Sequence, residues 1–484
     1  MTRTVVVGAG LGGVACAVEL LRAGHRDVTV LERADAVGGV WRANTYPGAA
    51  CDVPSALYSY SFAPNPDWSR RYAPQPEIQA YVERVVDEHG VRPHLRLGVG
   101  LVSATWDDES SRWHLALSDG SSDACDVLVS AVGQLSEPAR AELPGLESFA
   151  GPVMHTAEWD GEHDLAGRRV VVVGTGASSV QAVPLVAEVA RHLTVLQRTP
   201  PYVMPKPDRE HGRPHRWLAT RFPSLLRAER RFVWGLTELL AFGLSGDGRA
   251  AGVVRRGVQT LCLLHLRRSV PDADVRARLT PDHPAGCKRL LFSNDYLPTF
   301  ARPDVDLVTE PIVEVTADGV RTTAGLVPAD AIVLGTGFLT QPFLASIEVR
   351  GRGGRTLAQE WAGGAYAYLG TCVPGFPNLF VLYGPNTNTG SSSVVGMLEA
   401  QARYVRQAVD QLGRRGARAV EVRREVAREF DDRLQARLRR TVWTHCASWY
   451  REASGRISSN WPGRVRPYEQ LTGRLDPDDF EWAA

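Results

Sequence analysis

Two strand–glycine–helix units constrain the fold of this chain more than any other feature of its sequence. Continuous Val runs at 5–7 and 170–173 each lead into a glycine-rich turn and then into a stretch with helical character. Short unbroken apolar runs are typical of strands in a parallel sheet that is covered on both faces. The sequence therefore predicts an α/β chain with two Rossmann-like dinucleotide-binding domains.

The first glycine turn has the spacing of a dinucleotide fingerprint. Gly8, Gly10 and Gly13 fit the pattern GxGxxG, whose glycines let the backbone approach a pyrophosphate at the helix N-terminus. Glu32 ends the next predicted strand, where a carboxylate accepts hydrogen bonds from ribose hydroxyls. An ordinary glycine-rich strand–helix turn is the alternative. Because the carboxylate is present, we predict a site for FAD or NAD.

The second unit differs from the first at the position whose side chain contacts the ribose of the nucleotide. Gln197 stands where the first unit has Glu32, and Arg198 and Thr199 follow it. A carboxylate there would repel a 2′-phosphate, whereas a neutral amide followed by Arg favours one. Ser179 replaces the third glycine of the pattern. We predict an NADPH site, with a solvated surface role for Arg198 as the alternative.

Composition excludes several classes of protein. The 484 residues suit two or three domains, and the net charge of +1 gives no bulk attraction to nucleic acid or to an anionic membrane. The longest apolar run, 232–244, contains Glu238 and is too short to span a bilayer. A strand is predicted directly at the N-terminus, so we expect no signal peptide.

The cysteines point to a reducing compartment. Seven Cys are scattered along the chain without a CxxC pair. This pattern predicts neither a disulfide framework nor a zinc or other metal site, and it favours the cytoplasm. Cys51, Cys287 and Cys446 lie near other motifs and are interpreted as small buried apolar side chains.

A change in amino-acid composition indicates an insertion. Residues 209–278 are rich in Leu, Trp and Arg and poor in strand signals, which predicts a helical insertion over about 205–285. A further strand is predicted at 331–334, running into the turn Gly335-Thr336-Gly337.

The segment between the two units carries a resemblance to a known family. Residues 149–160 read FAGPVMHTAEWD, which fits the fingerprint FxGxxxHxxxW followed by Pro or Asp. The chain resembles class B flavoprotein monooxygenases, and specifically the type I Baeyer–Villiger monooxygenases. Relatives that oxidise nitrogen share the Phe, Gly and His of this pattern but usually lack the Trp, here Trp159.

Shorter segments extend the resemblance over nearly the whole chain and bring it closest to the 4-hydroxyacetophenone branch of the family. They are GGVW at 38–41, YPGAACD at 46–52, CKR at 287–289, Asp330 with GTG at 335–337, YGPNTN at 383–388 and NWPG at 460–463. The resemblance implies an FAD domain built from residues 1–148 and 341–484. It implies an NADP domain at 149–340 that contains the helical insertion.

The resemblance also implies a reaction. NADPH reduces FAD, O2 forms a flavin C4a-peroxide, and one oxygen atom enters next to the carbonyl of a small ketone to give an ester or lactone. The reacting oxygens are anionic and need a fixed cation, and Arg suits this because it stays charged and presents a rigid fork of donors. The family match gives that catalytic role to Arg289 and makes Asp52 the residue that orients it.

The same match assigns the cofactor contacts. Lys288 and Arg198 are expected to clamp the 2′-phosphate with Thr199 beside them, and Trp461 is expected to contact the nicotinamide cofactor. His155 and Trp159 are expected at a link between domains. The residues expected to bind FAD or NADPH are Gly8, Gly10, Gly13, Glu32, Gly39, Val40, Trp41, Asp52, Tyr58, Gly174, Thr175, Gly176, Ser179, Gln181, Arg198, Thr199, Lys288, Asn386 and Trp461.

Two other functions remain as alternatives. One is an oxygenase of the same fold acting on nitrogen or sulfur, which needs no activating Arg and is disfavoured by Asp52, Trp159 and Arg289. The other is a non-catalytic flavin-binding redox protein, which needs no complete second nucleotide site. Arg289 itself has the alternative of a structural role at a domain interface. The sequence identifies neither the ketone nor the oligomeric state.

Overall fold

The computed structural model describes residues 2–246, 248–340, 343–344, 346–390, 392–452 and 454–484. The strands are β1 (Thr4–Val7), β2 (Val28–Glu32), β3 (Leu95–Leu97), β4 (Leu101–Asp107), β5 (Arg112–Leu117), β6 (Ser122–Cys125), β7 (Val127–Ser130), β8 (Val153–His155), β9 (Arg169–Val173), β10 (His192–Leu196), β11 (Val203–Met204), β12 (Leu291–Phe292), β13 (Val305–Val308), β14 (Ile312–Thr316), β15 (Gly319–Thr322), β16 (Gly325–Pro328), β17 (Ala331–Leu334), β18 (Glu348–Arg350), β19 (Leu379–Val381), β20 (Ala419–Val422) and β21 (Phe480–Ala483). The helices are α1 (Leu11–Arg22), α2 (Val40–Ala43), α3 (Gln75–Glu88), α4 (Ala177–Val189), α5 (Arg213–Arg221), α6 (Pro223–Ser245), α7 (Gly248–Ser269), α8 (Ala273–Arg278), α9 (Tyr296–Thr299), α10 (Leu357–Glu360), α11 (Val394–Arg415), α12 (Arg424–Leu438) and α13 (Val465–Leu471).

The first parallel sheet has the strand order β19-β7-β1-β2-β3. Val5 and Val6 of its central strand are fully buried, because the sheet is covered on both sides. Helix α1 leaves the carboxyl end of β1 and packs against α11. Strands from both ends of the chain meet in this sheet, since β19 pairs with β7.

The second parallel sheet has the order β13-β10-β9-β17-β8. Its central strand β9 is followed by α4, so it repeats the strand–glycine–helix arrangement of β1 and α1. Both parallel sheets are of the Rossmann-like type, and the predicted α/β fold class is confirmed. Smaller sheets flank the two: β18-β4-β5-β6, β14-β15-β16, β11-β12 and β20-β21.

The helical insertion lies between strands β10 and β13 of the second sheet. Helices α5 to α8 fall within the range that the sequence predicts as helical. One face of α6 is fixed to the first part of the chain, where Arg230 donates to the backbone oxygen of Ser59 at 2.8 Å. Glu238, in the next turns of α6, accepts from the backbone N–H of Val465 at 2.8 Å. The insertion is therefore tied to the domain that carries the first glycine turn.

A disulfide corrects the sequence interpretation of two cysteines. Cys287 and Cys446, which we expected to be separate apolar side chains, are bonded to each other with their Cα atoms 6.1 Å apart. They are 159 positions apart in the chain, and they meet because the segment before Lys288 packs on the C-terminal part of the molecule. Sequence spacing could not show this contact, because tertiary packing creates it. The other cysteines are buried free thiols.

The disulfide leads to a prediction about stability. Cys446→Ala removes the cross-link and leaves the peptide that carries Lys288 and Arg289 unchanged. We expect the free energy of unfolding to fall by about 2–4 kcal/mol, because the unfolded chain regains the freedom of a long loop. Urea denaturation without reductant measures the change. Adding dithiothreitol should lower the urea midpoint of the wild type to that of the variant. Equal midpoints of the oxidised wild type and the variant would contradict a stabilising disulfide.

Candidate functional site

The first glycine turn forms a cradle that side chains cannot enter. A Cβ on Gly13 would lie 1.8 Å from the carbonyl oxygen of Gly8, and Gly8 itself has a φ of +103°. Gly10 caps the N-terminus of α1 and no side chain caps it, so the first N–H groups of α1 remain available. Such free N–H groups at a helix N-terminus bind anions. The turn therefore fits the pyrophosphate of a dinucleotide.

A second loop closes over this turn. Gly39, with a φ of +57°, lies so close to Gly10 that an added Cβ would come within 3.0 Å of the Cα of Gly10. Helix α2 begins at Val40, and the indole nitrogen of Trp41 donates to the Tyr58 hydroxyl at 3.0 Å. The structure thus gathers these four predicted FAD residues around the glycine turn.

Glu32 is held in place at the carboxyl end of β2. Its two carboxylate oxygens accept from the backbone N–H groups of Ala9 at 2.7 Å and Ala34 at 3.0 Å. Each oxygen keeps a further lone pair, so the carboxylate can still accept hydrogen bonds from ribose hydroxyls. The position agrees with the role predicted from the sequence.

The second glycine turn is built in the same way, except that a serine replaces its third glycine and a glycine on the neighbouring segment makes room for it. Gly174 has a φ of +104°, and a Cβ there would lie 2.6 Å from the carbonyl oxygen of Gly335. Ser179, at the position of the third glycine, is fully buried. A Cβ on Gly335 would come within 1.9 Å of the Ser179 hydroxyl oxygen, so Gly335 provides the space that the serine needs. Ser179 therefore packs inside the domain instead of lining the surface of the turn.

Two cations, Lys288 and Arg198, lie beside the second turn, and the negative charge of Asp282 only partly offsets the charge of Arg198 at Lys288. Burial lowers the pKa of Lys288, and the nearby charge of Arg198 lowers it further. In the described part of the chain neither residue forms a salt bridge. Thr175, next in the turn, donates to the backbone oxygen of Thr199 at 2.9 Å and so fixes the segment that carries Arg198. Two cations that form no salt bridge in the described residues, at a dinucleotide turn, fit the dianionic 2′-phosphate of NADPH.

Gln197 does not point toward these cations. Its amide nitrogen donates to the backbone oxygen of Arg278 at 2.8 Å, and the side chain is buried. The residue therefore removes the carboxylate that would repel a phosphate, and it joins β10 to the end of the insertion.

Arg289 and Asp52 form the central ion pair of the site. Nε and Nη2 of Arg289 both donate to one oxygen of Asp52, at 3.1 and 2.5 Å. The negative charge of Asp52 raises the pKa of Arg289 above its ordinary value. The Arg289 side chain remains 35 % exposed. Among the described residues its Nη1 has no hydrogen-bond partner, so one edge of the guanidinium is free for another group.

Gln181 connects the two halves of the site. Its amide oxygen accepts from the hydroxyl of Tyr46 at 2.7 Å, and its amide nitrogen donates to the backbone oxygen of Ala50 at 2.9 Å. Helix α4 of the second sheet is thereby joined to the loop that carries Asp52. The structure engages this predicted cofactor residue in positioning that loop.

Asn386 and Trp461 lie in the C-terminal part of the site. Asn386 has a φ of +58°, and its amide donates to the backbone oxygens of Ile457 at 2.8 Å and Asn460 at 3.0 Å. These two hydrogen bonds hold the segment that leads to Trp461. Trp461 is buried, and its indole nitrogen donates to the backbone oxygen of Arg464. A small cleft bordered by Trp461 and Lys288 opens beside α6.

Two tyrosines that the sequence did not single out, Tyr450 and Tyr383, lie near enough to Arg289 for its charge to act on them. Burial raises the pKa of Tyr450 to about 12, and the charge of Arg289 acts against that rise. Burial likewise raises the pKa of Tyr383, whose hydroxyl donates to Asn388 at 2.8 Å. Tyr383 begins the segment YGPNTN, so that motif could have suggested it. Tyr450 lies in no recognised motif.

The predicted link residues lie at the end of β8. His155 is buried, and its Nδ1 accepts from the backbone N–H of Ala157 at 3.1 Å. Burial lowers the pKa of His155. Trp159 packs at the margin of the core of the second sheet. Neither side chain is hydrogen-bonded to the Asp52–Arg289 pair.

The described residues contain no group of three or more His, Cys, Asp or Glu that could hold a metal ion. No helix in the same residues is both long enough and apolar enough to cross a membrane.

Comparison with known proteins places this site in a family. Residues 2–214 match the family described as pyridine nucleotide-disulphide oxidoreductase. A Baeyer–Villiger monooxygenase of Streptomyces coelicolor is 42 % identical over 99 % of this chain and 92 % of its own length. A Baeyer–Villiger monooxygenase of Pseudomonas aeruginosa is 39 % identical over 99 % of this chain and 91 % of its own length.

Solved structures agree with these relatives over the full length of the chain. An oxidized steroid monooxygenase bound to NADP superimposes with a TM-score of 0.89 at 32 % identity, covering 100 % of this chain and 99 % of that one. The closed form of cyclohexanone monooxygenase superimposes with a TM-score of 0.88 at 29 % identity, with the same coverage. Together with the two glycine cradles and the Arg289–Asp52 pair, these matches show that the chain belongs to the Baeyer–Villiger monooxygenases, the flavoenzymes that use FAD and NADPH.

Proposed function

We propose that this chain inserts one oxygen atom of O2 next to the carbonyl carbon of a small ketone and releases an ester or lactone. The observation that carries the proposal is the geometry of Arg289, which is fixed by Asp52 and keeps Nη1 free. A nitrogen or sulfur oxygenase needs no such cation, whereas an anionic oxygen that attacks a carbonyl does.

The two glycine cradles divide the cofactors between them. Bound FAD supplies the oxygen chemistry and NADPH supplies the hydride. We assign FAD to the turn of β1 and α1, and NADPH to the turn of β9 and α4. The proposed FAD residues are Gly8, Gly10, Gly13, Glu32, Gly39, Val40, Trp41, Asp52, Tyr58 and Asn386, and the proposed NADPH residues are Gly174, Thr175, Gly176, Arg198, Thr199, Lys288 and Trp461. Two further residues of the NADPH half support the site from behind: Ser179 is buried under the turn, and Gln181 holds the loop of Asp52.

The side chains of this protein then have distinct tasks in the reaction. Asp52 holds Arg289 in one orientation, and the free edge of Arg289 stabilises the negative charge that develops on the reacting oxygens. Gln181 holds the loop that carries Asp52 against helix α4 in the NADPH half of the site. Ala241, Leu244 and Ser245 of the insertion form one wall of the small cleft that also contains Lys288 and Trp461.

Finer features of the proposal rest on the motifs alone. We assign the chain to the 4-hydroxyacetophenone branch on the strength of segments such as those at 46–52 and 460–463. We propose domain limits of 1–148, 149–340 and 341–484, with the first and last together forming the FAD domain. We propose a cytoplasmic location on the ground that the second cradle fits NADPH; the Cys287–Cys446 disulfide removes the cysteine pattern as an argument for it.

A panel of ketones and sulfides tests the proposed reaction directly. The purified protein, supplied with FAD, NADPH and O2, is expected to convert at least one ketone into a product heavier by one oxygen atom. Mass and regiochemistry of the products measure this. Oxidation of sulfides or amines with no ester from any ketone would favour an oxygenase that acts on sulfur or nitrogen.

The first glycine cradle gives a prediction about FAD. Gly13→Ala would place a Cβ 1.8 Å from the backbone oxygen of Gly8, so the turn must open. We expect at least about a tenfold loss of FAD affinity, which corresponds to only about 1.4 kcal/mol. Flavin fluorescence titration measures the dissociation constant. Gly161→Ala is the matched control, because a Cβ there meets no atom within 4 Å. Equal FAD affinity of the two variants would contradict the assignment of this cradle.

A further inference from the structure

The solvent-facing side of helix α6 is apolar. Leu225, Phe232, Leu236 and Leu239 are 50, 64, 43 and 54 % exposed, and Phe222 just before the helix is 45 % exposed. The helical repeat of 3.6 residues places these side chains on one face. Contiguous exposed apolar surface of this kind marks an interaction site rather than ordinary solvent-facing residues.

The stripe continues onto the preceding helix α5. Trp217 is 63 % exposed and meets the ring of Phe222 edge-on, with the ring centroids 6.5 Å apart. Leu218, next to it, is also exposed. We call the surface formed by Trp217, Leu218, Phe222, Leu225, Phe232, Leu236 and Leu239 the apolar face of the insertion.

The opposite side of α6 shows that this face is held outward by the fold. Val233, Ala241 and Leu244 are buried, and the Thr237 hydroxyl lies 3.1 Å from the Ser392 hydroxyl. Arg230 and Glu238 add their hydrogen bonds to the same side. These contacts fix the orientation of α6 about its own axis. The apolar face therefore stays exposed, and no other part of the described chain covers it.

Charge indicates what covers the apolar face. Residues 213–269 contain eleven Arg against three acidic residues, although the whole chain has a net charge of only +1. Arg213 and Arg221 are exposed on α5 and stand four residues before and after Trp217, so the helical repeat places both beside it on the apolar face. Exposed aromatic and aliphatic side chains bordered by Arg are the composition of helices that lie in the surface of anionic bilayers.

We propose that the apolar face docks the protein on an anionic lipid surface, with α5 and α6 lying in the headgroup region and no segment crossing the bilayer. A second copy of the chain would set one Arg-rich face against another, and the like charges would repel. Nucleic acid would pair with the Arg residues but would leave the Leu and Phe side chains without apolar cover.

The place of α6 suggests a consequence for substrate supply, which rests on the proposed function. Its buried residues Ala241, Leu244 and Ser245 line the cleft that also contains Lys288 and Trp461. Docking would hold that cleft about one helix diameter, on the order of 10 Å, from the lipid. Apolar ketones concentrate in that phase. Docking itself does not depend on which reaction the enzyme performs.

Vesicle flotation with the FAD-loaded full-length protein tests the docking surface. We expect binding to vesicles made of equal parts phosphatidylglycerol and phosphatidylcholine, and little binding to phosphatidylcholine alone. The double variant Phe232→Ser with Leu236→Ser should lower the partition coefficient at least about tenfold, because two apolar side chains lose their burial in lipid. Val313→Ser with Leu326→Ser is the matched control, since these side chains are similarly exposed on β14 and β16.

Two further sets of measurements separate the charge contribution to lipid binding from the apolar one and show that the variants stay folded. Arg213→Gln with Arg221→Gln should weaken binding and reduce its dependence on salt, because both charges flank Trp217 on the face that meets the lipid headgroups. All three double variants are expected to keep the wild-type denaturation midpoint and the wild-type rate of NADPH oxidation in solution. The emission of the exposed Trp217 should shift to the blue on binding to anionic vesicles.

Other outcomes would overturn the proposal. Absence of flotation with anionic vesicles, or equal flotation of the Phe232→Ser/Leu236→Ser protein and its control, would exclude lipid docking by this face. A dimer in sedimentation that the same substitutions dissociate, without vesicle binding, would identify a second copy as the occupant. Retention of a duplex oligonucleotide by wild type and Phe232→Ser/Leu236→Ser protein alike, again without vesicle binding, would identify nucleic acid.

Discussion

Arg289→Ala is expected to lose ester formation by at least about 10²–10³-fold, the usual effect of removing one preorganised charge donor. FAD should remain bound, because the glycine cradle of α1 is built without this side chain. Hydride transfer from NADPH depends on geometry more than on this charge, so NADPH oxidation should survive in part and yield hydrogen peroxide. Product analysis together with NADPH and peroxide assays measures the separation of the two activities.

Companion variants show whether the charge or merely a side chain is needed. Arg289→Lys should also be poor, because a point charge cannot reproduce the planar fork that grips Asp52. Asp52→Ala should change activity in the same direction, since Arg289 loses its anchor. Arg302→Ala is the control, because Arg302 forms a comparable pair with Asp304 away from the cleft. Near-normal ester formation by a folded, yellow Arg289→Ala protein would contradict the assigned role.

Arg198→Ala is expected to raise the KM for NADPH by about ten- to a hundredfold and to leave the KM for NADH nearly unchanged. The reason is the loss of a charge-assisted hydrogen bond to the 2′-phosphate, worth roughly 1.5–3 kcal/mol. Lys288 alone would then face the phosphate. Steady-state kinetics with both nucleotides measures the effect.

A matched control for this variant lies at the opposite end of the same strand, β10. Arg191 is exposed immediately before β10, whereas Arg198 follows shortly after its carboxyl end, so Arg191→Ala removes an equal charge far from the turn. We expect Arg191→Ala to leave both KM values unchanged. Equal use of NADPH and NADH by the wild-type enzyme would contradict the interpretation of Gln197 and Arg198.

The sequence predicted the parts of this molecule that depend on local spacing. Strands β1 and β9, the glycine turns after them and the helices that follow are all set by residues close together in the chain. The same holds for the helical insertion, whose composition differs from that of its surroundings. The proximity of Asp52 and Arg289 was expected from the family resemblance alone, since 237 positions separate them.

Contacts made only by tertiary packing could not be predicted. The Cys287–Cys446 disulfide joins segments with no shared motif. Ser179 is tolerated because Gly335, which follows the neighbouring strand β17 but is far away in the sequence, has no side chain, and no local pattern links the two. The bridging role of Gln181 depends on the loop of Ala50 lying against α4. The apolar face of α6 was hidden for a related reason, because the net charge of the whole chain averages the insertion with the rest.

Product labelling tests the central claim most directly. The enzyme is incubated with NADPH, isotopically labelled O2 and a ketone that the panel identifies as a substrate, and the product is analysed by mass spectrometry. We predict an ester or lactone in which one labelled oxygen atom lies between the carbonyl carbon and the migrated carbon. NADPH oxidation with no labelled ester from any ketone, or label found only in a sulfoxide, N-oxide or hydrogen peroxide, would contradict this account.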